Sequence, residues 1–246
     1  MAQGVKPEFD AWRQSVRLTD DQEQLILGST LGNLSIMRNV HRTSGTPSEY
    51  ARFHVSHVEK DRDYVEWKYS ILGDLTQTPI QCRPVNQTFP SLPEFKPSVM
   101  CEFRSCSLPC LRPLHDLCYS DNGRRKITRA WMERLDSPIA LAAWFMDSGI
   151  PVRSSWHVPA RVQITVPRTD YEGAEIVRKV FLEEGCGFEA VHYVQDLPDT
   201  SVQAPRGHQS LGIGKREDIR EFVSLVKPYV EQVPSMMRKI IPLLSI

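Results

Sequence analysis

The thirteen residues Ser137–Gly149, SPIALAAWFMDSG, constrain this chain more than any other stretch. They read as an amphipathic helix that is small along one side, through Ala140, Ala142 and Ala143, and that ends on a polar residue. An earlier stretch, Leu25–Ser35 (LILGSTLGNLS), reads as its degenerate twin, with Gly28, Ser29 and Gly32 in the small positions. Side chains of that size let two helix backbones approach closely, which bulky ones prevent. Each helix also carries a start signal. Thr19 with Gln22 resembles a capping box, and Ser137 followed by Pro138 is a good first turn. By pattern alone, the two stretches either pack on each other or are unrelated core helices.

The flanking sequence narrows this. LTDDQEQLILGSTLGNLSI resembles the first, and LDSPIALAAWFMDSG the second, signature helix of a two-repeat LAGLIDADG homing endonuclease, the group whose second motif reads close to WFMDDG. HVSHVEKDRDYVEWKYSIL is similar to the family's post-hairpin helix. FRSCSLPCLRPLHDLCYSDNGRRKITRAWMERL resembles its inter-repeat passage, and VKPYVEQVPSMMRKI its last segment. The resemblance covers nearly the whole chain from Leu18 onward. It implies an α+β fold: a monomer of two pseudo-symmetric repeats (αββαββα-like), whose curved antiparallel sheets form a saddle over the DNA major groove. The motif helices would pack at the interface between repeats. On this basis residues 1–17 are a polar lead-in, 18–126 the first repeat and 127–246 the second.

The family's activity rests on the last acidic residue of each motif, which together hold divalent cations against two phosphates. Hard ions such as Mg2+ require charged oxygen ligands. Against the usual LGSLLGDGS pattern, Asn33 stands where the first Asp belongs, with Leu34 in place of the following Gly. Against WFMDDG, Ser148 stands at the second position. An amide and a hydroxyl replace two carboxylates. Asp147 is one residue earlier, turned by about 100° from the catalytic direction, and reads as a helix-end residue. Lys215, after the strand-like LGIG, lies near where the family often places a basic residue that polarises the attacking water.

No apolar run approaches the roughly 20 residues of a bilayer span, and the N-terminus lacks a signal-peptide core, which predicts an intracellular protein without a membrane partner. Thirty basic and thirty acidic side chains cancel. That is unusual for a chain meant to grip phosphates, so charge is expected to be segregated, with acids on outer helices (Glu59, Asp61, Asp63, Glu66; Glu183, Glu184; Glu217, Asp218, Glu221). Cys101, Cys106, Cys110 and Cys118 are separated by four, three and seven residues, without the C-x2-C pairs of common zinc folds. Buried free thiols are expected, because an intracellular setting disfavours disulfides.

Along the chain, helices are predicted over 20–31, 59–73, 111–118, 172–184 and 215–226, with Pro228 and Pro234 punctuating the tail. Strands are predicted over 34–42, 50–57, 99–105, 153–157, 161–167, 188–194 and 209–214. The proline-rich stretch 76–113 reads as a second hairpin with a long loop, and Ser120–Lys126 as the boundary between repeats.

One face of each strand should pack on helices and the other should meet DNA, so contacts fall on alternate residues. Arg38, His41 and Arg42 with Arg52 and His54 opposite are candidates in the first repeat; Arg153, Ser155, His157, Arg161, Gln163 and Thr165 are candidates in the second. Arg and Gln can each make paired hydrogen bonds to a base edge. His57 reads as structural. The resemblance thus implies a sequence-specific double-stranded DNA-binding protein that has lost cleavage and needs no metal cofactor. Alternatives are a weak or nicking nuclease using Mg2+, a maturase-like intron RNA splicing cofactor, and a folded remnant with no ligand.

Overall fold

A computed structural model describes residues 7–40, 46–85, 98–152, 160–166, 171–195 and 208–246. The chain forms two compact units: Met1–Gln22 with Leu34–His115, and Glu23–Asn33 with Asp116–Ile246. The fold is α+β, with two four-stranded antiparallel sheets, each flanked by helices of its own unit.

The first unit opens with α1 (Pro7–Ser15) and the start of α2 (Asp20–Thr30). The capping box at α2 forms reciprocally: Gln22 N–H donates to Thr19 Oγ1 at 3.3 Å and Thr19 N–H to Gln22 Oε1 at 3.1 Å. There follow β1 (Ser35–Val40), β2 (Pro47–Val58), α3 (Arg62–Leu72), β3 (Gln81–Val85), β4 (Ser98–Arg104) and α4 (Arg112–Cys118). The sheet order is β1-β2-β4-β3. Along β2, Ala51, Phe53, Val55 and His57 are buried while Arg52, His54 and Ser56 are not, the period of a sheet with one packed face. Phe103 on β4 meets Phe53 and Tyr69 edge-on at 6.0 and 5.2 Å, which joins sheet and α3 in one core. His57 is buried against Tyr64, ring centroids 4.8 Å apart.

Cys82 and Cys101 occupy directly paired positions of β3 and β4 and form a disulfide. This corrects the expectation of free thiols at Cys101. Strand pairing puts the two sulfurs opposite each other irrespective of compartment. The other four cysteines, Cys106, Cys110, Cys118 and Cys186, are free.

The second unit contains the rest of α2, then α5 (Arg129–Glu133), α6 (Pro138–Ser148), β5 (Gly149–Val152), β6 (Arg161–Val166), α7 (Tyr171–Ile176), β7 (Ala190–Gln195), β8 (His208–Ile213), α8 (Arg216–Val230) and α9 (Met237–Ile240). Its sheet order is β5-β6-β8-β7, the same pattern as in the first unit. The core is α6, whose residues Ile139–Met146 are all buried. Such a helix is apolar all round rather than amphipathic; in α2, Gln24–Thr30 are likewise buried, polar Ser29 and Thr30 included. Phe145 packs edge-on against Phe222 of α8 at 5.1 Å, and Trp144 Nε1–H donates to Thr165 O of β6 at 3.2 Å.

Several boundaries differ from those read off the sequence. Helix α5 was not foreseen, although Thr128 caps it by accepting from Trp131 N–H at 3.3 Å. Strand β5 starts at Gly149, directly after α6, instead of at residue 153. Past α7 the backbone continues as a π-helix over Val177–Gly185. Pro228 does not end α8: buried Ile219, Phe222, Val223, Val226 and Val230 form an apolar stripe that holds the helix through its last turn. Among the described residues no helix is long and apolar enough to cross a membrane.

Candidate active site and strand faces

The two motif helices meet inside the second unit, and the contact depends on missing side chains. A Cβ on Gly28 would fall within bonding-like distance of the Ala140 backbone, and one on Gly32 would overlap the side chain of Asp147. Gln24 locks the other end of the pair, with Nε2 donating to Arg134 O at 2.7 Å and Oε1 accepting from Asp136 N–H at 3.2 Å.

At the foot, α2 tightens after Thr30: Leu31 N–H reaches Gly28 O at 3.1 Å and Gly32 N–H reaches Ser29 O at 2.9 Å. Asn33 follows in this turn and is exposed. Its backbone N–H donates to Asp147 Oδ2 at 3.2 Å. The Asp147 carboxylate therefore fastens the turn that carries Asn33, and Ser148, half-buried, is the last residue of α6. Two cations bond at the helix ends. Arg125 Nη1 donates to Gly32 O at 3.3 Å, and Lys239 Nζ to Met146 O at 2.5 Å and Phe145 O at 3.4 Å. Both suit the negative end of a helix dipole. The sequence singles out neither: Arg125 falls in the boundary stretch Ser120–Lys126, and Lys239 lies 93 positions from Met146. Lys215 precedes α8, exposed, and its ammonium pairs with Glu189, which holds its pKa above the usual lysine value. The lysine bonded at the end of α6 is thus Lys239.

The family's divalent ions require a donor set at these feet. Among the described residues the foot offers the Asn33 amide, the Ser148 hydroxyl and one carboxylate, Asp147, already accepting an N–H. No group of three or more His, Cys, Asp or Glu that could hold a metal occurs among the described residues. That donor set does not fit a pair of hard divalent cations.

The strand candidates divide by register. In the first sheet Arg52 and His54 share the polar face, but Arg38 pairs with Ala51 and so lies on the side of Ile36 and Phe53, its Nε donating to Ser48 O at 2.5 Å. The expected grouping of Arg38 with Arg52 and His54 is corrected: the partner of Arg52 is Met37, one residue earlier, and a step of one residue turns Arg38 to the other side. His54 Nε2 lies 3.0 Å from Glu102 Oε2, and Arg104 donates to the same carboxylate at 3.3 Å. Arg83, bonded to Gln81, completes the face. In the second sheet Arg161, Gln163 and Thr165 alternate with buried Val162, Ile164 and Val166. His41, Arg42, Arg153, Ser155 and His157 lie outside the described residues.

The two open faces differ in charge: on the first, Glu102 is interleaved with the bases His54 and Arg104. The open side of the first sheet bears Arg52, Arg83 and Arg104 against Glu102, and that of the second bears Arg161 with no acid among the described residues.

Residues 23–192 match the model of the LAGLIDADG DNA endonuclease family. The chain is 28% identical over 231 residues to protein RecA of Mycolicibacterium fallax, covering 92% of this chain and 47% of that protein. It is 27% identical over 233 residues to protein RecA of Mycolicibacterium flavescens, covering 92% and 48%. It spans about half the length of the curated relatives it matches. Its fold is that of the homing endonuclease I-WcaI, solved bound to its DNA recognition sequence, with a TM-score of 0.75 at 16% identity over 98% of this chain and 95% of that one. The family match spans more than half of the sequence and includes both motif helices: the chain belongs to the LAGLIDADG DNA endonuclease family.

Proposed function

We propose that this chain is a sequence-specific double-stranded DNA-binding protein that keeps the homing-endonuclease body and has lost cleavage. Specificity in this fold belongs to strand faces and chemistry to helix feet, so one can decay without the other. The observation that carries the loss is the composition of the feet. Asn33 and Ser148 stand at the acid positions, and Asp147 accepts the Asn33 backbone N–H. The observation that favours DNA is the alternation of polar and cationic residues on the open strand faces, together with the DNA-bound state of I-WcaI.

The chain would read duplex DNA through Arg52 and His54 on one sheet and Arg161, Gln163 and Thr165 on the other, with Asn33, Asp147 and Ser148 marking the former site of scission. Two salt concentrations in a selection of duplexes from a random pool test the binding half. Enrichment of a common sequence, with affinity falling at higher salt, is the expected result. No enrichment at either salt would defeat it.

The chemical half predicts that Asn33→Asp with Ser148→Asp raises affinity for Mn2+, read by calorimetry or spin resonance. A variant that binds Mn2+ no better than the parent would remove Asn33 and Ser148 from the metal positions.

A further inference from the structure

On the open face of the second sheet, Arg161 is held by two neighbours, Tyr193 and Gln163. Its guanidinium carbon lies 4.8 Å from the centroid of the Tyr193 ring, the geometry of a cation–π contact. Nε and Nη2 both donate to Gln163 Oε1, at 3.3 and 3.1 Å. Gln163 is in turn fixed by its own Nε2, which donates to Ser210 Oγ at 3.0 Å. The ring reaches this position because residue 212 is glycine. A Cβ there would stand 2.5 Å from Tyr193 Cε2 and 3.4 Å from Arg161 Cδ. Register makes this possible: Gly212 is paired with both Gln163 of β6 and Val191 of β7, and Tyr193 is paired with the neighbouring Ser210.

We infer that Arg161 is a pre-organised guanine reader and that Gln163, Tyr193 and Gly212 are its positioning residues; this rests on the duplex-DNA reading above. A guanidinium fork matches O6 and N7 of guanine in the major groove, the commonest specific contact to a base. The Nε edge is used by Gln163, which leaves the outer Nη1/Nη2 edge to meet the base. A long flexible side chain normally loses rotamer freedom on binding. Stacking on Tyr193 removes much of that freedom beforehand. Gln163 itself is reassigned. Its amide oxygen accepts from Arg161 twice and its amide nitrogen donates to Ser210, so it does not offer an adenine the paired donor and acceptor, and its part in reading DNA is to orient Arg161.

The test is selection from a random duplex pool followed by affinity measurements on the selected duplex and on versions with each single guanine replaced. For the parent chain, replacing one guanine weakens binding roughly 5- to 150-fold. Arg161→Lys keeps the charge but not the fork, so it abolishes that discrimination while leaving the salt dependence unchanged. Tyr193→Phe keeps the ring and the discrimination; Tyr193→Leu and Gly212→Ala reduce discrimination at the same base position. Gln163→Ala acts at that position too.

Three results overturn the inference: Arg161→Lys retaining the base preference, Arg161→Ala weakening all duplexes equally with a shallower salt slope (a phosphate contact), or Gln163→Ala erasing preference at a different base pair. A parent chain that enriches no sequence overturns the underlying DNA reading, and this proposal with it. Should Gly212→Ala fail to fold, Tyr193→Leu against Tyr193→Phe decides alone.

Discussion

Glycine at 32 and aspartate at 147 form a single feature. The absent Cβ makes room for the Asp147 carboxylate, and the carboxylate accepts the Asn33 N–H. Asp147 therefore acts on the backbone of the turn, whatever ligand the foot carries. A second carboxylate, Glu175, illustrates titration at this scale. Arg178 hydrogen bonds first, and His192 after it, hold its pKa below the ordinary 4.5 although burial raises it. A depressed folded-state value means that protonation favours the unfolded chain, so Glu175 stabilises fully above its ordinary pKa and its contribution fades as pH falls through the folded value. The gap in melting midpoint between the parent and Glu175→Gln should be present at neutral pH and close as buffers are taken below pH ~4.5. A gap that stays constant with pH would contradict this assignment.

At the scale of elements, the helix pair and the disulfide each make a stability statement. Gly28→Ala forces a methyl into the Ala140 backbone, which cannot swing aside, and should cost about 1–3 kcal/mol or more. Gly214→Ala, with nothing within 4 Å of its built Cβ, is the control and should cost little. Equal effects in chemical denaturation would refute the close approach of the two motif helices. The Cys82–Cys101 disulfide spans 19 positions and ties the outer strand β3 to β4. Cys82→Ser should lower stability by ~3 kcal/mol under oxidising conditions by the loop-closure relation. Under reducing conditions its loss should nearly vanish; a loss of the same size in both would show that the bond itself contributes nothing.

For the whole molecule, the sequence carried the architecture further than the site. Both motif helices, most strands and the alternation of Arg161, Gln163 and Thr165 were legible, because period and small-residue spacing are local signals. What escaped depends on register or on distant chain. The side on which Arg38 lies follows from its pairing with Ala51, which one strand alone does not reveal. The disulfide depends on the register in which β3 pairs with β4. Lys239 reaches the end of α6 from the far end of the chain. The role of Gly212 depends on Tyr193 of the neighbouring strand lying over it, which the 209–214 stretch alone does not encode.

The proposed loss of cleavage, argued from Asn33 and Ser148 at the acid positions, is addressed by a single measurement. Strand scission of the selected duplex is followed with Mg2+ or Mn2+, for the unaltered chain and for the Asn33→Asp, Ser148→Asp double variant. The expected result is a duplex that the unaltered chain binds and leaves intact in both ions. Double-strand cleavage by the unaltered chain, abolished by a chelator, would contradict it.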